Sequence, residues 1–188
     1  MTNNNDLLVI QKVLAGEVHA YATLVDRYKD MAVSLAYNIL LNREDAEEVA
    51  QDAFVKAYSA LNAFKATAKF STWLYRILVN TALNKKKLKK YDTVSINYSL
   101  HEDIVANDDD FQQLTYANKK HIQIALQTIS DNERICISLY YLDELSVEEI
   151  HEITHITTSN IKVLLYRGRK SLYAALQQLL KNEISDLI

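Results

Sequence analysis

Among its 188 residues the chain has no proline, two glycines and one cysteine. Sandwiches and barrels need turn residues at nearly every strand end, so this scarcity excludes them and predicts an all-helical protein. One cysteine excludes a disulfide framework and any cysteine-based zinc cluster, and fits a reducing compartment. No apolar run approaches the roughly 18 residues that cross a bilayer, so no membrane insertion is expected. Met1 to Asp6 is polar and carries no charged-then-apolar signal segment, which predicts a cytoplasmic protein. Strong charge of one sign is missing too, with 24 acids against 21 lysines and arginines. A global basic field for indiscriminate binding to duplex DNA is therefore not expected.

The charge that is present is unevenly spread. Residues 1–91 hold 13 basic and 9 acidic groups, net +4. Residues 92–115 hold six acids (Asp92, Glu102, Asp103, Asp108, Asp109, Asp110) and no lysine or arginine. Residues 116–188 are near neutral, with 8 basic and 9 acidic groups. Two small helical domains, 1–91 and 113–188, joined by an acidic linker at 92–112, are the expected layout.

Apolar residues recur at helical spacing almost throughout. Leu7 to Leu14 predict a short first helix that stops near Gly16. Tyr21 to Leu40 keep one stripe for about five turns. Asn42 is a good N-cap for a helix that buries Ala46, Val49, Ala50, Ala53, Phe54, Ala57 and Leu61. After a loop at 62–70, Ser71 caps a helix that ends in Lys85, Lys86, Lys87, Lys89 and Lys90, where cations suit the helix dipole. Order resumes at Phe111 and Leu114. Two capping boxes, Ser130 with Glu133 and Ser146 with Glu149, start helices near 131–142 and 147–154. Thr157 caps a long last helix.

His151-Glu152-Ile153-Thr154-His155 is a literal H-E-x-x-H, which on a continuous helix holds zinc between two imidazoles. Apolar spacing and the Thr157 cap place His155 in the turn after the helix, so the pair does not share a face. Cys136 lies among apolar residues and reads as a small buried hydrophobe. No triad spacing, phosphate-cradling glycine loop or metal-spaced carboxylate cluster occurs. Neither catalysis nor a metal or other cofactor is expected.

Three constellations point elsewhere. A capped helix, a turn, and a helix opening Thr157-Thr158-Ser159-Asn160 form a helix-turn-helix pattern. Thr158, Ser159, Asn160, Lys162 and Val163 then lie toward the major groove, with Arg167, Arg169 and Lys170 as phosphate clamps. A plain helical hairpin with a solvated basic face is the alternative. Around the 62–70 loop, Phe64, Lys65, Lys69, Phe70, Trp73, Tyr75 and Arg76 interleave aromatic and basic groups, as single-strand binders do. Phe70 and Trp73 read equally as core residues. The five lysines at 85–90 add a phosphate track. Lastly, Glu44, Asp45, Glu47, Glu48, Gln51 and Asp52 form an acidic stripe. Dipole stabilisation accounts for Glu44 and Asp45, but Asp52 lies too far along and points to docking on a basic protein surface.

Leu24-Val25-Asp26-Arg27-Tyr28, the stretch Asn42–Tyr58 (NREDAEEVAQDAFVKAY) and Lys69–Ile77 (KFSTWLYRI) with Asn80 closely resemble region 2 of bacterial sigma factors. Asp131-Asn132-Glu133-Arg134 and the helix-turn-helix through Lys170 resemble region 4. The layout, with no domain between, is similar to the extracytoplasmic-function (ECF) group of the sigma-70 family. That resemblance implies a promoter-specificity subunit of RNA polymerase. Glu44, Asp45, Glu48, Gln51, Asp52, Phe54 and Lys56 would meet the β′ clamp helices. Phe64, Lys65, Lys69, Phe70, Trp73, Arg76 and Asn80 would carry −10 recognition and melting, with the 62–70 loop capturing a flipped base. Thr158, Ser159, Asn160, Lys162, Val163, Tyr166, Arg167 and Lys170 would read the −35 element. It further implies contact with the β flap, an acidic linker in the polymerase channel, and an anti-sigma factor. This chain departs from the family pattern in having Ile129-Ser130 for Leu-Pro, His155 for a turn glycine, His151 for a small residue, and Val163 and Leu164 at polar or basic recognition positions. A free-standing helix-turn-helix regulator is the competing reading, though it would need neither the acidic stripe nor the Phe64–Arg76 cluster.

Overall fold

The computed structural model describes residues 4–92 and 121–186, and every regular element among them is helical. The acidic linker lies, but for Asp92, outside the described residues, as do Phe111 and Leu114. The N-terminal half is four helices: α1 (Asn4–Leu14), α2 (Tyr21–Leu40), α3 (Arg43–Ser59) and α4 (Phe70–Asp92). The C-terminal half has helical residues 121–127 (α5), α6 (Asp131–Ile137) running into a π-helical turn (Ser138–Leu142), α7 (Val147–Thr154) and α8 (Thr158–Asp186).

Helix ends follow local chemistry. Asn42 caps α3 by accepting from the Asp45 N–H at 2.9 Å. Both capping boxes form, with Ser130 and Glu133 opening α6 and Ser146 and Glu149 opening α7. Thr157 accepts from the Asn160 N–H at the start of α8. One cap differs from expectation. The Lys69 carbonyl takes the Trp73 N–H at 3.1 Å, so α4 begins at Phe70 and Ser71 sits inside its first turn. The expected single helix near 131–142 also changes character, since its last turn winds to π geometry. Tight side-by-side crossing of α6 and α8 is set by Gly168: a Cβ there would meet Ile137 Cγ1 at 3.0 Å and Glu133 Cβ at 3.3 Å.

In the N-terminal half, α3 presents Ala46, Ala50, Ala53 and Ala57 inward, so α2 and α4 approach it closely. Leu24, Leu35, Ile39, Leu74 and Leu78 fill the space between, each worth about 1.5–3 kcal/mol of burial. Asp6, buried on α1, accepts from Arg27 and from Tyr28 Oη, which ties the first helix to the second. Burial and the Asp6 hydrogen bond raise the Tyr28 phenol well above its ordinary range. In the C-terminal half, Ile135, Leu139, Ile150, Ile153 and Ile161 lock the helices together. Cys136 is buried there, and desolvation pushes its thiol up to about 11, which fits the inert reading.

Among the described residues four non-glycine positions have positive φ, two of them flanking α7: Glu144 (φ 53) and His155 (φ 59). A side chain in the left-handed region costs about 1–2 kcal/mol, which glycine avoids. Glu144→Gly is therefore expected to stabilise the protein by about 0.5–1 kcal/mol, measured as a raised midpoint in thermal or urea unfolding.

The two halves are in contact: α7 packs on α4, and α6 lies against α2.

Candidate nucleic-acid and polymerase interfaces

The aromatic and basic residues around the loop before α4 divide into core and surface. Phe70 is fully buried (0% exposed), ringed by Tyr28, Phe64 and Trp73 at centroid distances of 5.6, 5.7 and 5.7 Å. It supports the site and has no face left for a base. Phe64 and Trp73 are half-buried and meet at a centroid distance of 5.3 Å with their planes tilted by 51°, each keeping part of its surface open. Lys65, Arg76 and Asn80 are exposed, and Lys69 is partly so. Phe64, Lys65, Thr72, Trp73 and Arg76 line an open cleft of about 560 Å³ with His151, Glu152 and His155 opposite. The structure thus gathers Phe64, Lys65, Trp73 and Arg76. Asn80, one turn further along α4, does not line the cleft.

The acidic stripe divides in the same way. Glu44, Glu47, Glu48, Gln51 and Asp52 are exposed along α3. Asp45 is 8% exposed and turned inward, paired with Lys89 and, at 4.0 Å, with Lys85. Lys85 also meets Glu48 at 2.5 Å, and that hydrogen bond raises its pKa. Phe54 is buried and its carbonyl accepts from Tyr21 Oη at 2.7 Å, while exposed Lys56 reaches Thr81 Oγ1 at 3.2 Å. Burial excludes Asp45 and Phe54 as direct contacts of a partner in this conformation. Three of the five lysines read as a phosphate track are also engaged: Lys85 and Lys89 with α3, and Lys86 with Asp131 at 2.6 Å. The signal for this pairing was in the sequence. Acids at 45 and 48 and lysines at 85 and 89 each share a helical face, and α3 and α4 are neighbours.

On α8, Ser159, Asn160, Lys162, Val163, Tyr166, Arg167 and Lys170 are exposed and Thr158 partly so, while Ile161 and Leu165 point into the core. This is the division a recognition helix needs: one face packed, the other turned outward from its first turn. Arg169 donates back to the Leu165 carbonyl at 3.3 Å. His155 occupies the left-handed turn position between α7 and α8, so the H-E-x-x-H histidines do not share a helix. His151 Nδ1 donates to the Ile156 carbonyl at 2.7 Å, and His155 Nε2 accepts from Arg76 at 2.6 Å. Among the described residues no group of three or more histidine, cysteine or acidic side chains is placed to hold a metal. No described helix is long and apolar enough to cross a membrane.

The architecture is thus two helical domains, the first carrying the acidic helix α3 and the second a helix-turn-helix, with an aromatic-basic cleft between them. Residues 24–91 match the family described as Sigma-70 region 2, and residues 122–172 the one described as Sigma-70, region 4. The chain is 36% identical over 181 residues to the ECF RNA polymerase sigma factor SigW of Bacillus subtilis (strain 168), covering 90% of this chain and 96% of that one. It is 28% identical to the ECF RNA polymerase sigma-E factor of Escherichia coli (strain K12), covering 94% and 96%. The fold matches CnrH, solved in complex with the cytosolic domain of CnrY, with a TM-score of 0.67 at 21% identity over 91% of this chain and 96% of that one. It matches RpoE from Bartonella quintana, solved with the anti-sigma factor NepR, with a TM-score of 0.65 at 20% identity over 84% and 96%. The chain belongs to the ECF group of RNA polymerase sigma factors, proteins that act in transcription initiation.

Proposed function

We propose that this sigma factor binds core RNA polymerase through the exposed face of α3, with Glu44, Glu48, Gln51 and Asp52 meeting the β′ clamp helices. Phe64, Lys65, Lys69, Trp73, Arg76 and Asn80 then recognise and open the −10 element, and the exposed face of α8 reads the −35 element while its domain meets the β flap. The observation that carries this reading is the cleft lined by Phe64, Lys65, Trp73 and Arg76. Its two tilted rings offer surface to an unpaired base and its cations hold the backbone, an arrangement with no use in a binder of intact duplex. Extruding one base costs a few kcal/mol, which stacking and a fitted pocket can return. Thr158, Ser159, Asn160 and Lys162 supply hydrogen-bonding groups to base edges, and Val163 an apolar contact suited to thymine methyls. Arg167 and Lys170 hold phosphates, with Tyr166 beside them. An anti-sigma factor is the expected regulator, as with RpoE and its NepR complex.

Run-off transcription by core RNA polymerase on fragmented host DNA, with and without this protein, tests the proposal. Discrete new start sites that need both components are the expected result. If core gains nothing while the protein alone shifts specific duplex fragments, the free-standing regulator takes its place.

A further inference from the structure

We propose that Asn160 fixes one base of the −35 element as adenine, and that Val163 selects a thymine methyl at the adjoining base pair. This deepens the −35 reading of α8 given above and rests on it. Asn160, Val163 and Arg167 are all exposed, and their i, i+3, i+7 spacing runs them along one edge of the outward face of α8. Ile161 and Leu165, which alternate with them in sequence, are buried in the domain core. That edge therefore cannot turn away from the groove without unpacking α8.

The chemistry of the opening turns narrows the choice of base. Thr157 Oγ1 accepts the Asn160 N–H as the helix cap and lies 3.3 Å from Ser159 Oγ, while Thr158 is half-buried. A hydroxyl donates and accepts and turns to suit any base edge, so Thr158 and Ser159 add affinity with little discrimination. The Asn160 side-chain amide is different. Among the described residues it has no hydrogen-bond partner, because the cap takes only the backbone N–H. Its carbonyl accepts and its NH₂ donates side by side. In the major groove adenine alone offers the matching pair, the N6 donor beside the N7 acceptor. Guanine presents two acceptors there, O6 and N7, and would set an oxygen against the Asn160 carbonyl. Residues 157–164 also contain no arginine, the residue that most often reads guanine.

Val163 brings only methyl groups to the groove, and thymine is the base that carries a methyl there. Three residues of helix advance about 4.5 Å, against about 3.4 Å for one base step. With α8 lying along the groove, Asn160 and Val163 therefore reach neighbouring base pairs. Arg167, roughly 6 Å further on, meets a phosphate, which holds register without selecting sequence.

The test uses holoenzyme, assembled from core polymerase and the full chain, on a promoter mapped by run-off transcription whose −35 segment is randomised; bound fragments are sequenced. The original chain should enrich adenine at one position, with a thymine, on either strand, at the adjoining pair. Asn160→Ala should weaken the adenine preference about tenfold at that position and leave the other positions as they were. Asn160→Asp accepts without donating, so it should favour cytosine at the same position through the N4 donor. Val163→Ser should erase the thymine preference at the adjoining pair alone. Lys170→Ala is the comparison, since loss of a phosphate contact weakens all sequences alike. The three substituted side chains are exposed, and circular dichroism confirms that each variant is folded. An adenine preference unchanged in Asn160→Ala, or a loss spread evenly over all sequences as in Lys170→Ala, would overturn the assignment of Asn160. A thymine preference that survives Val163→Ser would overturn that of Val163. The −35 reading fails separately, if the original holoenzyme shows no base preference anywhere in the randomised segment.

Discussion

Reversing charge at Glu48 and Asp52 together, with Glu48→Lys and Asp52→Lys, is expected to abolish detectable association with core RNA polymerase while the helices stay formed. Both side chains are exposed on α3 one turn apart, so they present to one partner surface. Like charges brought face to face across an interface cost several kcal/mol, and each 1.4 kcal/mol is tenfold in Kd. A loss of about 100-fold or more follows, read by fluorescence anisotropy or co-elution with core. The effect on folding should be small. Glu48 pairs with Lys85 at the surface, where an ion pair is worth about 0–1 kcal/mol, and Asp45 remains beside that lysine. Normal holoenzyme assembly by the double variant would remove α3 as the docking helix.

Truncating two neighbouring aromatics should give opposite kinds of damage. Phe70→Ala removes a fully buried ring touching Tyr28, Phe64 and Trp73, and is expected to cost about 3–5 kcal/mol. For a chain of this size that corresponds to a drop in Tm of roughly 10 °C or more. Because a domain's whole stability is about 5–15 kcal/mol, transcription should then fail through loss of folded protein. Trp73→Ala removes a half-buried ring that lines the cleft, so its stability cost should be smaller. Its loss should appear in promoter opening, measured as permanganate reactivity of unpaired thymines, with core binding retained. Equal thermal destabilisation by the two variants, with Trp73→Ala opening promoters normally, would place both rings in the core and end the stacking role.

These expectations show how the sequence divides into parts that could and could not be read from it. The helical class follows from absent proline and scarce glycine, and the element boundaries follow from caps that act within one turn. Asn42, Ser130, Ser146 and Thr157 satisfy local N–H groups, and a local rule needs no knowledge of the rest of the chain. The placing of His155 outside the α7 helix was legible for the same reason. The start of α4 was missed by two residues because a backbone carbonyl, that of Lys69, accepts the first helical N–H, and no side-chain pattern marks it.

Only the tertiary structure decided which members of each cluster face outward. Phe70 and Trp73 are three residues apart on one helix, and composition treats them alike. Their difference arises because Tyr28 of α2 closes over one ring and leaves the other at a domain edge. Asp45 and Asp52 differ likewise, one drawn inward by Lys85 and Lys89 of α4 and the other left exposed. The contact of Lys69, Tyr75 and Arg76 with Glu149 of α7 and with Asp143 and His155 beside it joins residues 68 to 80 positions apart, a separation at which helical periodicity carries no information. Local hydrogen bonding and hydrophobic spacing thus determined the helices, and the motifs along the sequence its family. Long-range packing, which depends on where every helix axis lies, decided which of its charges and rings remain available to a partner.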